Sequence, residues 1–196
     1  RLYGGTPVIV NCPVEQGYKI NPDDLEAAIS AKTKWLIMNN PGNPTGVVYH
    51  EEELRAINRV LQRHPHVWLL TDDIYADIHF AVQPVLHHLQ LDPALASRCL
   101  AVNGVSKTYA MTGWRIGYGI GPVELIKAMT LLQLQTTSGA SSISQAAALA
   151  ALTGPQECVA DFRALYKARR DVAVDILSTV PGLNFVVPEG AFYLFI

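Results

Sequence analysis

The sequence has few cysteines, and none of them forms a recognisable motif. Its 196 residues include Cys12, Cys99 and Cys158, an odd number without a CxxC pair. This spacing argues against a disulfide framework and against a thiolate zinc site, and it favours a reducing compartment such as the cytoplasm. Cys99 opens an apolar run, so we expect it to be a small buried side chain.

Charge and long apolar runs are also scarce. Charged residues make up 16% of the chain, and the net charge is −2. No basic excess predicts a nucleic-acid partner, and the pair Arg169-Arg170 is expected on a solvated helix face. No run is long enough to cross a bilayer, and no targeting segment is visible. The six histidines lack the spacing of paired ligands on one helix face, so no metal site is predicted.

Short apolar runs alternate with helical patterns along the chain. Hydrophobic residues make up 49% of it, enough for one sizeable core. The alternation predicts an α/β fold with a mainly parallel sheet that is covered on both faces. The predicted strands are 6–12, 33–40, 66–73, 98–105, 114–121 and 184–196, and the predicted helices are 21–31, 50–64, 123–135, 142–152 and 155–180, with 123–135 and 142–152 buried.

Polar residues follow three of these strands, in "NNPGNPTG", "TDDIY" and "NGVSK". The carboxyl ends of parallel strands meet at one edge of a sheet, which is where ligands gather. Each stretch has an ordinary explanation when it is taken alone. Lys107 fits a surface loop, Asp72 fits a helix N-cap, Tyr75 fits simple packing, and the Asn-Pro steps around Asn43 fit a turn.

A chemical explanation exists for the same residues. A Schiff-base lysine must lose its proton readily, and a nearby cation such as Arg115 favours that loss. An acid at the end of an apolar strand, such as Asp72, is costly to bury without a cationic partner. A protonated ring nitrogen on a cofactor would supply such a partner. Neither explanation prevails for any residue alone.

Together the stretches resemble one family, the class I and II pyridoxal-phosphate aminotransferases that include aspartate aminotransferase. The match uses "NNPGNPTGVVY", "TDDIYADIHF", "VNGVSKTYAMTGWRIGYGIGP", "SISQ" and "PEGAFYLF" in the family's order and spacing. The resemblance implies a three-layer α/β/α large domain at 1–154, whose N-terminal part is missing. It also implies an interdomain helix and the start of a small domain at 155–196.

The resemblance also implies roles for individual residues. Lys107 would hold pyridoxal 5′-phosphate as an internal aldimine and then act as the general base. Asp72 would partner the pyridinium nitrogen, and Tyr75 and Asn43 would donate hydrogen bonds to the phenolic oxygen. Arg115 would clamp the phosphate, with help from the hydroxyl of Ser106.

The chain departs from the family pattern in two ways. Gly104 stands where many relatives have a phosphate-binding serine, and the family's first and final portions are absent. We therefore expect a piece truncated at both ends, from a protein that transfers an α-amino group to a 2-oxo acid. The resemblance implies a homodimer at full length and gives aspartate as the first choice of substrate. Two alternatives stay open: a β-lyase or synthase on the same scaffold, and an inactive piece that only folds or dimerises.

Overall fold

The computed structural model describes residues 4–81 and 83–196. Four strands form one sheet in the order β1-β2-β3-β4, in which β1, β2 and β3 are parallel and β4 is antiparallel. This confirms the predicted α/β fold with a mainly parallel sheet. The strands are β1 (Trp35–Asn39), β2 (Trp68–Asp72), β3 (Cys99–Gly104) and β4 (Gly117–Ile120), and the helices are α1 (Pro22–Ala28), α2 (Glu51–Arg63), α3 (His88–Leu91), α4 (Val123–Thr136), α5 (Ser142–Thr153) and α6 (Glu157–Leu177).

Local sequence explains where the first helices begin. The Asn21 side chain accepts a hydrogen bond from the Asp23 backbone amide at 2.8 Å, and Pro22 occupies the first helical position of α1. Helix α2 carries three glutamates in its first turn and Arg63 in its last, a distribution that complements the helix dipole.

The main hydrophobic core lies between α1, α2 and one face of the sheet. Leu54, Ile57 and Leu61 present the apolar stripe of α2 and are fully buried. They pack in one cluster with Leu69 of β2 and Cys99 of β3. Cys99 is only 1% exposed, which confirms its prediction as a small core residue. The core thus supports β2 and β3 from one side and fixes where their carboxyl ends lie.

A buried histidine makes this core sensitive to acid. The ring of His88 is hydrogen-bonded to the Asn58 side chain at 2.5 Å, and its other nitrogen has no hydrogen-bond partner among residues 4–81 and 83–196. Burial is the main reason why the pKa of His88 falls to about 4, and the neighbouring His87 lowers it further. The folded protein therefore favours neutral His88, whereas the unfolded chain takes up a proton below a pH of about 6.5.

We expect the free energy of unfolding to fall by an order of 3 kcal/mol between about pH 6.5 and 4 because of His88. This stabilisation is fully present above pH 6.5 and disappears as the pH falls to the folded-state pKa. Urea unfolding at several pH values checks the prediction. His88→Leu should flatten the slope, whereas His66→Leu removes an exposed imidazole as the control. Equal slopes in the wild type and His88→Leu would contradict the prediction.

Two predicted strands are wrong. Residues 6–12 contain no strand, and Val8 and Ile9 are exposed. Residues 184–196 also contain no strand, although Gly190 makes one isolated bridge with His79. Both segments have the composition of strands, but a strand also needs a neighbour along its whole edge. No neighbouring strand pairs with either of them among residues 4–81 and 83–196.

The predicted burial of α4 and α5 is also wrong for the chain as described. Helix α4 has no buried residue, and α5 buries only Ser144 and Ala148. Apolar residues such as Leu131 and Leu134 are more than half exposed. An apolar helix becomes buried only when another surface covers it, and nothing within 4–81 and 83–196 covers most of these two.

The expectation of a solvated Arg169-Arg170 pair holds for Arg169 alone. The Arg170 side chain is only 17% exposed. Its guanidinium lies 4.7 Å from the centre of the Phe80 ring and donates to the Pro188 carbonyl oxygen at 3.0 Å. Cation–π contact and a charge-assisted hydrogen bond explain why one arginine of the pair turns inward. Arg170 thereby connects α6 to the segment that follows it.

The described chain, residues 4–81 and 83–196, contains neither a membrane-spanning helix nor a cluster of metal ligands. No helix within it combines the length and the apolar character that crossing a bilayer requires. Within the same residues, no three His, Cys, Asp or Glu side chains come together in a way that would hold a metal ion. The three cysteines are free thiols.

Candidate active site

Three strand ends meet at one edge of the sheet, as the sequence predicts. Asn39 at the end of β1 is in register with Asp72 at the end of β2, and Asp72 is in register with Val102 near the end of β3. The loops that carry Asn43, Tyr75 and Lys107 all begin at this edge. The parallel arrangement therefore places these side chains on the side of the sheet where α/β proteins bind ligands.

Asp72, which ends β2, and Asp73, which follows it, have different surroundings, because neighbouring side chains in extended backbone point to opposite faces. Asp73 accepts a hydrogen bond from the Thr71 hydroxyl at 3.0 Å and lies 3.4 Å from His87. Asp72 is half-buried on the other face, where its carboxylate accepts the backbone amide of Ile74 at 3.2 Å. Asp73 is thus engaged by core-side partners, while Asp72 is available to a ligand.

The loop after β1 is held by an asparagine that the sequence analysis missed. The side-chain N–H of Asn39 donates to the Asp72 carbonyl oxygen at 2.8 Å. The side-chain oxygen of Asn39 accepts a hydrogen bond from the backbone N–H of Asn43 at 2.6 Å. Asn39 thus fixes Asn43 relative to the end of β2. The exposed Asn43 side chain interacts with the Tyr75 hydroxyl by a hydrogen bond, which lowers the pKa of Tyr75 and so opposes the effect of burial. The available signal for Asn39 was its place at the end of an apolar strand.

The connection between β3 and β4 carries Ser106, Lys107 and Arg115. It closes where Gly104 pairs with Gly117, and Ser106 and Arg115 each lie two residues from that pair. Ser106 and Lys107 are half-buried, and Arg115 is exposed. Arg115 has a left-handed backbone with φ of 51°, and its Nη1 donates to the Thr112 carbonyl oxygen at 2.9 Å. One short loop therefore holds the lysine and the arginine.

Gly104 lies where this closure is tight. A Cβ atom there would lie 3.0 Å from the Ile116 carbonyl oxygen and 3.1 Å from the Gly117 Cα. Both contacts are to backbone, which cannot move aside like a side chain. The close approach of β3 and β4 thus leaves little room for a side chain at this position.

An aromatic cluster from the end of the chain completes the site. The Lys107 Nζ lies 5.9 Å from the centre of the Phe192 ring, and the Tyr75 ring meets Phe192 edge-on at 5.3 Å. Tyr193 joins the same cluster, and its hydroxyl lies 2.5 Å from that of Tyr75. The sequence analysis gave these two aromatics no role. Only their place in the stretch "PEGAFYLF" could have indicated a role, because their distance from Tyr75 along the chain hides the contact.

Tyr75 is held strongly in its protonated form. Burial is the largest cause that raises the pKa of Tyr75, followed by the hydrogen bond with Tyr193 and by the nearby Asp72 charge. The phenol therefore remains a hydrogen-bond donor at any ordinary pH. Burial also lowers the pKa of His79, whose backbone forms an isolated bridge with Gly190.

Three charged groups at this edge have no ionic partner. Within residues 4–81 and 83–196, Lys107, Asp72 and Arg115 form no salt bridge. Lys107 and Asp72 are half-buried, where a charge normally has a partner, and the exposed Arg115 lies in the same loop as Lys107. An amine, a carboxylate and a guanidinium match, in turn, the carbonyl carbon, the ring nitrogen and the phosphate of pyridoxal 5′-phosphate. The residues present fit this cofactor.

Two open cavities lie away from these groups. One, of about 450 Å³, runs along α4, and another, of about 460 Å³, lies beside Asp73, His87 and Cys99. Both linings are mainly apolar, and the charged groups of the second, Asp73 and His87, are both hydrogen-bonded to the Thr71 hydroxyl. Neither contains Lys107, Asp72 or Arg115, so the unpaired charges locate the site better than concavity does.

Comparison with known proteins decides the family. The model of the family "Aminotransferase class I and II" matches residues 1–196. The chain belongs to this family. It is 50% identical over 194 residues to the aspartate/prephenate aminotransferase of Cereibacter sphaeroides. The aligned residues cover 99% of this chain and 48% of that protein. It is also 50% identical to the aspartate aminotransferase of Rhizobium meliloti, over 97% of this chain and 47% of that protein.

Solved aminotransferases share the fold closely. The crystal structure of the Rhizobium meliloti aspartate aminotransferase superposes with a TM-score of 0.94 at 49% identity, covering 97% of this chain and 48% of that one. The aromatic aminotransferase of Pyrococcus horikoshii has a TM-score of 0.93 at 33% identity, covering 98% and 52%. Members of this family depend on pyridoxal phosphate. The chain spans about half the length of the curated relatives it matches.

Proposed function

We propose that the protein is a pyridoxal-phosphate-dependent aminotransferase that exchanges an α-amino group between an amino acid and a 2-oxo acid. One observation carries the proposal: an unpaired lysine, aspartate and arginine share one sheet edge with Tyr75 and Asn43. Aspartate is the proposed amino donor, because relatives at 50% identity are named aspartate or aspartate/prephenate aminotransferases. The homodimer, the cytoplasmic location and the division at residue 154 remain predictions.

The chain's own residues would divide the work. When bound, pyridoxal phosphate supplies an electron sink that stabilises a carbanion at the substrate α-carbon. The Lys107 amine would condense with the cofactor aldehyde with loss of water. Once the substrate amine displaces it, the Lys107 amine would move a proton to and from that carbon. Asp72 would keep a proton on the ring nitrogen through its charge. Arg115 would bind the phosphate with its planar fork.

Tyr75 and Asn43 would orient the cofactor ring from the side of β2. Both would donate hydrogen bonds to its phenolic oxygen, and the raised pKa of Tyr75 keeps that proton available. Phe192 would limit the access of water to the Lys107 amine, because its ring lies against both Lys107 and Tyr75. These positions agree with an acid–base site in which one amine does the proton transfer.

Borohydride reduction followed by peptide mass mapping tests the proposal. The chain and the complete product of its gene are each mixed with pyridoxal phosphate, reduced and digested. We expect one phosphopyridoxyl label, on Lys107. Aspartate added before reduction should convert the cofactor to its amine form and abolish the label, and a 2-oxo acid should restore it. Release of ammonia and a 2-oxo acid without formation of that amine form would indicate a lyase instead. Scattered labelling in both polypeptides would overturn the proposal.

Replacing Asp72 by Asn should slow the amino-group transfer roughly a hundredfold, the effect of removing a charge-assisted bond of about 3 kcal/mol. The amide is nearly the same shape but has no charge to hold a ring proton. Lys107 labelling should persist, because the amine is untouched. Single-turnover absorbance measurements with aspartate check the rate. Asp73→Asn, whose partners lie on the core face, is the matched control, and an equal effect of both changes would contradict the assignment.

A further inference from the structure

The hydroxyls of Tyr193 and Tyr75 form the shortest contact between the end of the chain and the candidate site. Their oxygens are 2.5 Å apart, and the ring centres are 5.7 Å apart in an edge-on arrangement. Tyr75 is 2% exposed, so water does not compete freely for this hydrogen bond. A pair this close in a shielded place fixes the orientation of both hydroxyls.

We propose that Tyr193 is a positioning residue that orders the Tyr75 proton toward the cofactor. The inference rests on the proposed function, in which Tyr75 donates to the phenolic oxygen of pyridoxal phosphate. Each phenol has a single proton to donate. Between a neutral hydroxyl and an anionic oxygen, the Tyr75 proton goes to the anion, because charge-assisted hydrogen bonds are stronger. Tyr193 then donates its own proton to the Tyr75 oxygen.

Donation from Tyr193 to Tyr75 makes Tyr75 a stronger hydrogen-bond donor to the cofactor. A hydroxyl that accepts a hydrogen bond becomes more polarised and donates more strongly in turn. The stronger donation stabilises the deprotonated form of the bound cofactor. Tyr193 therefore lowers the pH at which the Lys107–cofactor adduct loses its proton, although Tyr193 does not touch the adduct itself.

The backbone holds Tyr193 in place independently of its hydroxyl. The Ala191 amide donates to the Ile78 carbonyl oxygen at 2.8 Å, and the Phe80 amide donates to the Glu189 carbonyl oxygen at 2.7 Å. The Gly190 amide donates to the Gly46 carbonyl oxygen at 2.9 Å. Removal of the Tyr193 hydroxyl alone should therefore leave the ring in its cluster, which makes Tyr193→Phe a clean test.

The test is a spectroscopic pH titration of the complete gene product loaded with pyridoxal phosphate. The visible absorbance of the bound cofactor changes as the adduct loses its proton. For Tyr193→Phe, we expect the midpoint to move up by about half to one pH unit, the size of one net hydrogen bond. Tyr75→Phe should move it further, and the double variant should add little to Tyr75→Phe alone.

Tyr166→Phe is the matched control. The Tyr166 ring packs on Phe192 with centres 5.3 Å apart, in the same cluster as Tyr75, so this change removes a neighbouring hydroxyl that is not bonded to Tyr75. Its midpoint should equal that of the wild type. An unchanged or lowered midpoint in Tyr193→Phe, with Lys107 still labelled, would overturn this inference and leave the proposed function intact. Loss of the Lys107 label in the wild type would overturn both.

Discussion

Lys107→Ala should abolish cofactor labelling and reduce amino-group transfer by roughly 10⁴-fold, the upper range for loss of a positioned acid–base group. The physical reason is that no other amine can replace it at this sheet edge. Lys107 follows β3 at the carboxyl ends of the parallel strands, whereas Lys32 and Lys34 precede β1 at the opposite ends. The other lysines, Lys19, Lys127 and Lys167, are each paired with a carboxylate. Peptide mapping after borohydride reduction measures the labelling, and single-turnover absorbance with aspartate measures the transfer.

Lys127→Ala is the matched control for this prediction. Lys127 lies on the exposed surface of α4 and pairs with Glu124 at 3.1 Å. A surface pair of this kind contributes little to stability, so the variant should fold, label and react like the wild type. Strong labelling of another lysine in Lys107→Ala, with transfer activity retained, would show that the reactive amine lies elsewhere.

The sequence predicted this site because the residues that carry its chemistry lie in a few short stretches. Lys107 and Arg115 share one loop, and Asp72 and Tyr75 share one turn, so their order along the chain already shows that they lie close together. The parallel sheet then unites the stretches, as β1 and β2 end in register at Asn39 and Asp72. The family resemblance supplied the roles, and the geometry supplies the unpaired charges that agree with them.

The aromatic cluster of the site could not be predicted in the same way. Phe192 and Tyr193 reach Tyr75 only because the final segment folds back, and no local pattern encodes that return. The same segment reads as a strand from its composition, yet its hydrogen bonds go to Gly46, Ile78 and Phe80 at isolated points. Long-range contacts of this kind depend on where the loops pack, which periodicity does not report.

The exposed faces of α4 and α5 illustrate a second limit. Their sequences predict burial, and the physical argument for burial is sound when a covering surface exists. Within residues 4–81 and 83–196 no element covers Leu131 or Leu134. Apolar pattern thus predicts that a helix face needs a partner, but it does not say whether that partner lies in the same 196 residues.

Gly46→Ala should cost an order of 3 kcal/mol in unfolding free energy, the sum of a left-handed backbone penalty and overpacking. Gly46 has φ of +68°, and an added Cβ would lie 2.4 Å from the Pro188 Cβ and 2.9 Å from the Gly190 carbonyl oxygen. The returning segment would have to move away. Its displacement would separate Tyr193 from Tyr75, so weaker cofactor binding should accompany the loss of stability.

Gly17→Ala measures the left-handed backbone penalty without the overpacking. Gly17 has φ of +64°, nearly the same backbone conformation, but nothing lies within 4 Å of an added Cβ. This variant should lose only about 1 to 2 kcal/mol, the left-handed penalty alone, and keep wild-type cofactor binding. Urea unfolding of both variants gives the comparison. Equal losses would mean that the final segment yields easily, and that the contact between Tyr193 and Tyr75 does not depend on close packing at Gly46.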